Sequence, residues 1–224
     1  MSRFIKILDK ISALYEPKEV RYLWREVQKK STESTVEFIV SKMPNALFCK
    51  DPLDVLEYAI SVKQKGLIAE FGVFSGKTIN HIASLVPGQT IYGFDSFEGL
   101  PEQWSGFLYM KNWFDTKGQM PVVKSNVKLI KGWFDNTVPS FFREQNTPIS
   151  ILHIDSDIYS SAKTVFNSAK PFLQKGSIII FDEFFNYPGY QKHEFKAFFE
   201  LIEEIKMDYD FIAYSGNQAA VKLI

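Results

Sequence analysis

Acidic residues follow two short apolar runs of the sequence, at the points where each run ends. Asp155 follows residues 149–154, and Asp182 and Glu183 follow residues 177–181. If both runs are parallel strands, these carboxylates meet at one edge of a sheet, where they repel one another unless a cation lies among them. An all-oxygen ligand set favours Mg²⁺ or another hard divalent cation over zinc. We therefore predict a metal site at this edge; the alternative is that the three residues cap strands and face solvent.

A glycine-containing loop after the run 67–71 is the second candidate site. Gly72 and Gly76 permit a sharp turn and the close approach of a ligand, and the helix that we expect next offers free N–H groups. Phe71 stands where a phosphate-binding loop needs its first glycine. Glu70 would repel a pyrophosphate but attract the amine of the methionine part of S-adenosylmethionine (SAM). The loop therefore favours SAM; the alternative is a helix-capping turn that binds no ligand.

Residues after the next two apolar runs could complete a SAM site. Asp95 follows the run 90–94, about twenty residues after the glycine loop, the spacing at which an acidic residue binds ribose hydroxyls. Trp133 and Phe134 follow the third run and could form a flat wall against adenine, with packing in the core as the alternative. His193, in the loop after Asp182 and Glu183, is a candidate base, and a helix-start role fits its position equally well.

These residues need a scaffold, and the sequence predicts one of alternating strands and helices. Runs rich in β-branched and aromatic residues indicate strands buried on both faces, and helical stretches between them indicate right-handed crossovers in a mostly parallel sheet. Two later runs, 209–214 and 219–224, flank turn residues and predict a final antiparallel hairpin. The predicted strands are 67–71, 90–94, 126–130, 149–154 and 177–181, and the predicted helices between them are 77–85, 138–144 and 160–173.

Residues 1–65 are predicted to form a helical extension that precedes a SAM-binding domain at residues 66–224. Asp51 and Pro52 are typical of the N-cap and first position of a helix. The irregular stretch 98–125, which is rich in aromatic residues, is long for a compact domain and predicts a loop that covers substrate. Helical spacing of apolar residues, or a polar helical stretch, predicts three further N-terminal helices over 7–15, 18–30 and 34–40.

The composition argues against several classes of protein. The 224 residues include 26 basic and 26 acidic side chains and no basic stripe, so we expect no nucleic-acid partner. The single cysteine, Cys49, excludes an internal disulfide and a thiolate zinc site. Neither a secretory h-region nor an apolar run of about 18 residues occurs, so we expect a cytoplasmic protein without a membrane partner. The first 43 residues could mediate a homodimer.

Taken in chain order, these motifs resemble the macrocin O-methyltransferase family, a branch of the class I SAM-dependent methyltransferases, and most of all its bacterial members. The resemblance extends from residue 44 to the C-terminus. The stretch 94–101, Phe-Asp-Ser-Phe-Glu-Gly-Leu-Pro, is the most specific part of it. The matching stretches are 70–76, 94–101, 132–134, 152–161 and 181–189.

The resemblance implies an α/β, Rossmann-like fold with a seven-stranded, mostly parallel sheet that ends in an antiparallel hairpin. It also implies SAM across the glycine loop and Mg²⁺, or another divalent cation, near the acceptor oxygen. The antibiotic-sugar members have two consecutive aspartates where this chain has Asp182 and Glu183, which changes the reach of one ligand. The implied SAM positions are Glu70, Gly72, Ser75, Gly76, Asp95, Ser96, Phe97, Trp133 and Phe134, and the implied metal positions are Asp155, Asp182 and Glu183.

The function that follows is methyl transfer from SAM to a hydroxyl of a small molecule or, from the resemblance, a sugar. A bound metal would lower the pKa of that hydroxyl, with Asp155 as ligand and general base. One alternative is a metal-independent methyltransferase with Asp155 or His193 as the only base, which sensitivity to EDTA would distinguish. Another is a SAM-binding module without catalysis, which SAM binding without transfer would indicate.

Overall fold

The computed structural model describes residues 18–105 and 113–224. The helix predicted over residues 7–15 lies outside these residues, as does part of the predicted substrate-covering loop. Within the described residues the chain forms one eight-stranded sheet flanked by helices.

Seven of the strands are parallel and one is reversed. In the order β1-β7-β8-β6-β5-β2-β3-β4, β8 runs antiparallel to both of its neighbours, and every other pair is parallel. This confirms the predicted fold class, with an eighth strand, β1, added to the predicted seven. Strand β1 pairs over two residues only, and a run that short leaves no recognisable pattern in the sequence. The strands are β1 (Leu47–Phe48), β2 (Leu67–Phe71), β3 (Ile91–Asp95), β4 (Val127–Lys131), β5 (Ile149–Ile154), β6 (Ile178–Phe181), β7 (Tyr209–Ser215) and β8 (Gln218–Leu223).

Six α-helices lie in the described part of the chain, and none of them combines the length and apolar character that a bilayer span requires. The first, α1, is one continuous helix where the sequence predicted two, over 18–30 and 34–40. The last, α6, was not predicted. The helices are α1 (Lys18–Lys42), α2 (Pro52–Ser61), α3 (Lys77–Leu85), α4 (Phe134–Gln145), α5 (Tyr159–Ala169) and α6 (Glu194–Ile205), with short 3₁₀ turns at Lys170–Phe172 and Tyr190–Lys192.

The central strands are buried on both faces, as their uninterrupted apolar sequences predict. Ile68 packs into one hydrophobic cluster and its neighbour Ala69 into the other, because successive side chains of a strand point to opposite faces. The helices α4, α5 and α6 contribute to the cluster that contains Ala69, and α2 and α3 contribute to the cluster that contains Ile68. The sheet is therefore the middle layer of three.

Helix α1 packs against the loop that follows β6. Gln28 Nε2 donates to the carbonyl oxygen of Asn186 at 2.7 Å, and the Asn186 N–H donates to Thr35 Oγ1 at 2.9 Å. The ring of Phe38 packs edge-on against Phe211, with 5.5 Å between centroids. Helix α1 thus supports the segment after β6, which begins with Asp182 and Glu183.

The start of helix α2 confirms the predicted cap. Asp51 accepts a hydrogen bond from the Leu53 N–H at 2.9 Å, and the Asp54 side chain accepts one from the Asp51 N–H. Pro52 occupies the first turn, where its missing N–H costs nothing. This reciprocal capping box fixes where α2 begins, at the same edge of the sheet as the acidic clusters.

Strand order places a crevice between β2 and β5. From β2 the chain moves outward through β3 and β4, and then crosses to β5 and β6 on the other side. In open parallel sheets, ligands bind outside the carboxyl ends of the strands at this switch point.

Candidate active site

A cavity of about 780 Å³ opens at the switch point, within the range of volumes known for small-ligand sites. It is lined by residues that follow β2, β3, β5 and β6. Backbone hydrogen bonds keep the strand ends level: the Asp155 N–H donates to the Phe71 carbonyl at 2.9 Å. In the same way the Asp182 N–H donates to the Ile154 carbonyl at 2.9 Å. The acidic residues after β5 and β6 therefore share one edge, as the sequence predicted.

The glycine loop has the sharp turn predicted for it. Gly72 has φ of 99°, and a Cβ atom there would lie 1.7 Å from the carbonyl oxygen of Asp155, so only glycine fits. Gly76 has φ of 75° and is the N-cap of α3. Gly72 and Ser75 line the cavity, whereas Gly76 turns the chain into the helix without lining it.

Asp95 lines the cavity, and its carboxylate is largely engaged by the backbone. Oδ2 accepts from the N–H groups of Val73 at 2.8 Å and Phe74 at 2.7 Å, and Oδ1 accepts from that of Phe97 at 2.7 Å. A carboxylate has about four acceptor positions, so this arrangement leaves one for a ribose hydroxyl. Asp95 therefore shapes the glycine loop as well as facing the cavity. Ser96 also lines the cavity, but Phe97 is fully buried beneath it.

Glu70 supports the glycine loop from behind. Its side chain is fully buried and does not line the cavity; it accepts from Thr78 Oγ1 at 3.1 Å and pairs with His153 Nδ1 at 2.9 Å. Burial raises the pKa of Glu70, although the hydrogen bond from His153 opposes that rise. Burial would lower the pKa of His153, but the hydrogen bond and charge of Glu70 outweigh it and the pKa is raised. Glu70 therefore lies behind the cavity wall, and its predicted role in holding the methionine part of SAM stays a prediction.

The two aromatic residues after β4 both line the cavity. Trp133 is the N-cap residue of α4, and Phe134 is the first residue of that helix. The Phe134 ring also packs edge-on against Phe71 with centroids 5.8 Å apart. Phe134 therefore packs in the core on one side and also lines the cavity, and its contact with adenine stays a prediction.

Three carboxylates converge in the cavity: those of Asp155, Asp157 and Glu183. One oxygen of each lies within 4.8 Å of the others. The predicted trio contained Asp182 in place of Asp157. In the structure Asp182 Oδ1 accepts a hydrogen bond from Gln218 Nε2, and Asp182 is not one of the converging group. Asp157 joins it from a left-handed backbone conformation, with φ of 64°, that the sequence did not indicate.

The electrostatics of this acidic trio favour a cation. Burial raises the pKa of Asp155, Asp157 and Glu183 well above the usual range, and the charges of neighbouring carboxylates raise it further. Glu183 Oε2 is buried and has no hydrogen-bond partner among the described residues. An all-carboxylate donor set with an unsatisfied buried oxygen fits a hard divalent cation such as Mg²⁺.

Glu194, which sequence reasoning missed, holds the trio's loop in place. It is fully buried at the start of α6, and its Oε1 accepts from the N–H of Ser156 at 3.0 Å and that of Asp157 at 3.1 Å. The hydroxyl of Ser156 donates to the same oxygen at 3.2 Å. Burial raises the pKa of Glu194 to about 7. Only prediction of α6 could have indicated this residue, because nothing local in the sequence relates it to Asp157.

His193 is buried outside the cavity. Its Nε2 donates to the carbonyl oxygen of Ser105 at 2.7 Å, and its ring lies 6.5 Å from that of Trp104 between centroids. Burial lowers the pKa of His193. Trp104 lines the cavity and His193 does not. The structure therefore brings Asp155 to the cavity without bringing His193 beside it, and His193 occupies the helix-start position before α6.

Two further segments line the cavity, and the sequence predicted only structural roles for them. One is the first turn of α2, at Asp51, Pro52 and Leu53; the other is the β7–β8 turn, at residues 216–218. Both line the cavity, and the turn reaches the acidic cluster through the hydrogen bond from Gln218 to Asp182.

Comparison with solved structures bears on the fold. No curated protein sequence matches the chain. Two solved structures are similar. The calicheamicin methyltransferase CalS11 is 24% identical, with 92% of this chain and 93% of that chain covered and a TM-score of 0.60. The O-methyltransferase NovP is 17% identical, with 75% of this chain and 76% of that chain covered and a TM-score of 0.57. At these identities the likeness shows a shared fold.

A sequence family gives the decisive match. The family described as a methyltransferase domain matches residues 69–184, a little more than half of the chain. These residues run from the strand before the glycine loop to the segment after the acidic end of β6, so they contain most of the residues that line the cavity. With this match and with a glycine loop at the switch point of a Rossmann-like sheet, the chain belongs to the methyltransferase domain family and is a SAM-dependent methyltransferase.

Proposed function

We propose that this methyltransferase moves the methyl group of SAM onto a hydroxyl of a small molecule, with sugars as the preferred class, and that a divalent cation assists. The observation that carries the proposal is the acidic trio Asp155, Asp157 and Glu183 in the same cavity as the glycine loop. The names of the structural neighbours support the reaction class: NovP is an O-methyltransferase, and CalS11 is a TDP-rhamnose 3'-O-methyltransferase in a second structure, which is 24% identical with a TM-score of 0.54.

The proposed SAM site uses the cavity wall beside β2 and β3. The methionine part lies along Gly72 and Ser75, one ribose hydroxyl donates to the remaining acceptor position of Asp95, and Trp133 and Phe134 flank the adenine. All five residues line the cavity. Glu70 contributes indirectly, because its bonds to Thr78 and His153 fix the strand from which the loop departs.

When bound, SAM supplies an electrophilic methyl group, and the divalent cation lowers the pKa of the acceptor hydroxyl. Asp155 and Asp157, on the loop after β5, and Glu183, on the segment after β6, would hold the cation. Asp155 accepts the hydroxyl proton as general base. Trp104, which is almost fully buried, also lines the cavity.

A second candidate is methyl transfer without a metal. Burial raises the pKa of Asp155 well above its usual range, which makes its carboxylate a stronger base in the absence of a cation. The rest of the cavity serves this mechanism equally well. The two mechanisms differ in their response to chelation.

Paired isosteric variants test the metal site. Asp157→Asn is expected to weaken Mn²⁺ binding, measured by calorimetry, by at least about tenfold, because it removes one of the converging charges. Asp182→Asn is the matched control, and we expect it to weaken Mn²⁺ binding much less because Gln218 already engages that carboxylate. A larger effect of Asp182→Asn would restore the trio predicted from sequence.

Methyl transfer itself is measured with tritiated SAM and a panel of glycosides. Asp155→Asn is expected to reduce turnover sharply and to leave affinity for S-adenosylhomocysteine nearly unchanged, because Asp155 acts on the acceptor. If transfer survives both Asp155→Asn and excess EDTA, the metal-assisted mechanism is wrong. If S-adenosylhomocysteine does not bind, the SAM site itself is wrong.

A further inference from the structure

Exposed apolar side chains concentrate in the N-terminal part of the described residues. Seven of the fourteen large apolar side chains that are exposed there lie between residues 22 and 48, on α1 and β1. Concentrations of this kind mark interaction sites, whereas apolar residues scattered singly over a surface do not. The members on α1 are Tyr22, Leu23, Val27, Val36 and Val40, and those on β1 are Leu47 and Phe48.

Helix α1 packs on the rest of the chain with one side and presents the other side to solvent. Thr35 is 3% exposed, and the ring of Phe38 packs against that of Phe211. On the opposite side, exposed residues recur at alternating intervals of four and three, which keeps them in line over about five turns. We call these six residues the α1 stripe: Tyr22, Glu26, Lys29, Glu33, Val36 and Val40.

The centre of the α1 stripe is complementary in charge to a second copy that runs antiparallel to it. A two-fold axis beside Ser31 would place Lys29 opposite Glu33 of the partner subunit, and the symmetry would repeat this ion pair. Glu33 Oε2 pairs with Lys30 at 2.7 Å within α1, and a carboxylate has a second oxygen for a further donor. A parallel copy would instead place each charge opposite an identical one, and like charges repel. The charges therefore favour an antiparallel pair.

The ends of the α1 stripe are apolar in the same register. Tyr22 would lie opposite Val40 of the partner subunit, and these side chains are 68% and 72% exposed in the single chain. Val36 would lie opposite Glu26 of the partner subunit, which gains no ion pair there. Intervals of four and three are those through which long helices pack side by side at about 20°. The register that pairs the charges therefore also buries the apolar ends.

We propose that the protein forms a two-fold symmetric homodimer in which the α1 stripes of two copies pack antiparallel around Ser31. Burial of the apolar ends supplies the affinity, and the two ion pairs between Lys29 and Glu33 set the direction and the register. The hydrogen bonds of Gln28 and Thr35 with Asn186 lie on the other side of α1, so the pairing leaves them in place. This dimer does not depend on the proposed function.

Charge reversals in the full chain, examined by sedimentation velocity, test the pairing. The unaltered chain is expected to pass from monomer to dimer as its concentration rises. Lys29→Glu and Glu33→Lys should each raise the dimer dissociation constant by at least about tenfold, because each reversal places like charges opposite one another twice. An equimolar mixture of the two variants should recover most of the original affinity, because every carboxylate at the centre of one chain then faces an ammonium group of the other.

The control is Lys65→Glu, at an exposed position between α2 and β2, which changes the net charge as Lys29→Glu does and should not alter dimerisation. An unaltered chain that stays monomeric at every concentration would overturn the proposal and indicate another occupant of the stripe, such as residues 1–17 or a different protein. Dimers that neither reversal weakens, or a mixture that stays monomeric, would also overturn it. Circular dichroism checks the helix content, and if one variant loses it, the other variant and the unaltered chain decide.

Discussion

Replacing Gly72 by alanine tests the close approach between the glycine loop and the acidic loop. In the structure a Cβ atom at Gly72 would lie 1.7 Å from the carbonyl oxygen of Asp155 and 2.8 Å from its carbonyl carbon. Both contacts are with backbone, which cannot rotate out of the way as a flexible side chain can. The loop after β2 or the loop after β5 must therefore move by more than about 1 Å.

Two separate costs contribute to the loss of stability in Gly72→Ala. A φ of 99° is a strained conformation for alanine and costs about 1 to 3 kcal/mol. Overpacking against the backbone adds about 1 to 3 kcal/mol. The free energy of unfolding should therefore fall by about 2 to 6 kcal/mol. Because the displaced loop carries Asp155, Mn²⁺ affinity should fall as well.

Two other glycines separate these costs. Gly216 has φ of 56° with no atom within 4 Å of its added Cβ, so Gly216→Ala should cost only the conformational part, about 1 to 2 kcal/mol. At Gly88 the Cβ also meets nothing within 4 Å and φ is not left-handed, so Gly88→Ala should be neutral or stabilising by about 0.5 kcal/mol.

Urea denaturation of the three variants, followed by circular dichroism, measures these free energies. The expected order of destabilisation is Gly72→Ala, then Gly216→Ala, then Gly88→Ala. If Gly72→Ala is no more destabilised than Gly216→Ala, the Asp155 carbonyl does not approach Gly72 as described. The geometry proposed for the junction of the two loops would then be wrong.

Three more outcomes follow from the site. Asp95→Asn should weaken binding of S-adenosylhomocysteine by about tenfold in calorimetry. Both carboxylate oxygens accept backbone hydrogen bonds, and the substitution replaces one of them by an NH2 group, which cannot accept. Unchanged affinity would show that Asp95 does not shape the SAM site. Glu194→Ala should lower Mn²⁺ affinity by about tenfold. Glu194→Gln should retain most of that affinity, because its amide oxygen can still accept from the Asp157 N–H. Equal losses in the two variants would contradict this positioning role. With EDTA present, the free energy of unfolding should fall as pH rises between 4.5 and about 7, because the native state keeps a proton on Glu194 that the unfolded chain has released, so the native state binds more protons. Glu194→Gln should reduce that slope without abolishing it, because the raised pKa values of Asp155, Asp157 and Glu183 act in the same direction. A wild-type stability that rises with pH over the same interval would refute the raised pKa values.

Local patterns predicted most of the fold. Buried parallel strands need continuous apolar runs, and five such runs gave β2 to β6 with boundaries correct to within one residue. The cap of α2 could be predicted because Asp51 and Pro52 stabilise a helix start through neighbouring backbone groups. The hairpin of β7 and β8 was readable for the same kind of reason. The prediction of the N-terminal helices was less accurate, because α1 continues through the polar stretch that separated two predicted helices.

The amino-acid sequence by itself determined which strand ends carry glycines and which carry carboxylates, since both follow from the apolar runs that precede them. Only the tertiary structure decided which carboxylates converge. Asp157 replaced Asp182 in the trio because Gln218, 36 residues away from Asp182, takes that side chain, and because Glu194 holds the Asp157 loop from α6. Likewise Glu70 turned from the cavity to His153, 83 residues along the chain. The direction of a side chain beyond a strand end depends on partners that are distant in sequence, so local patterns do not encode it.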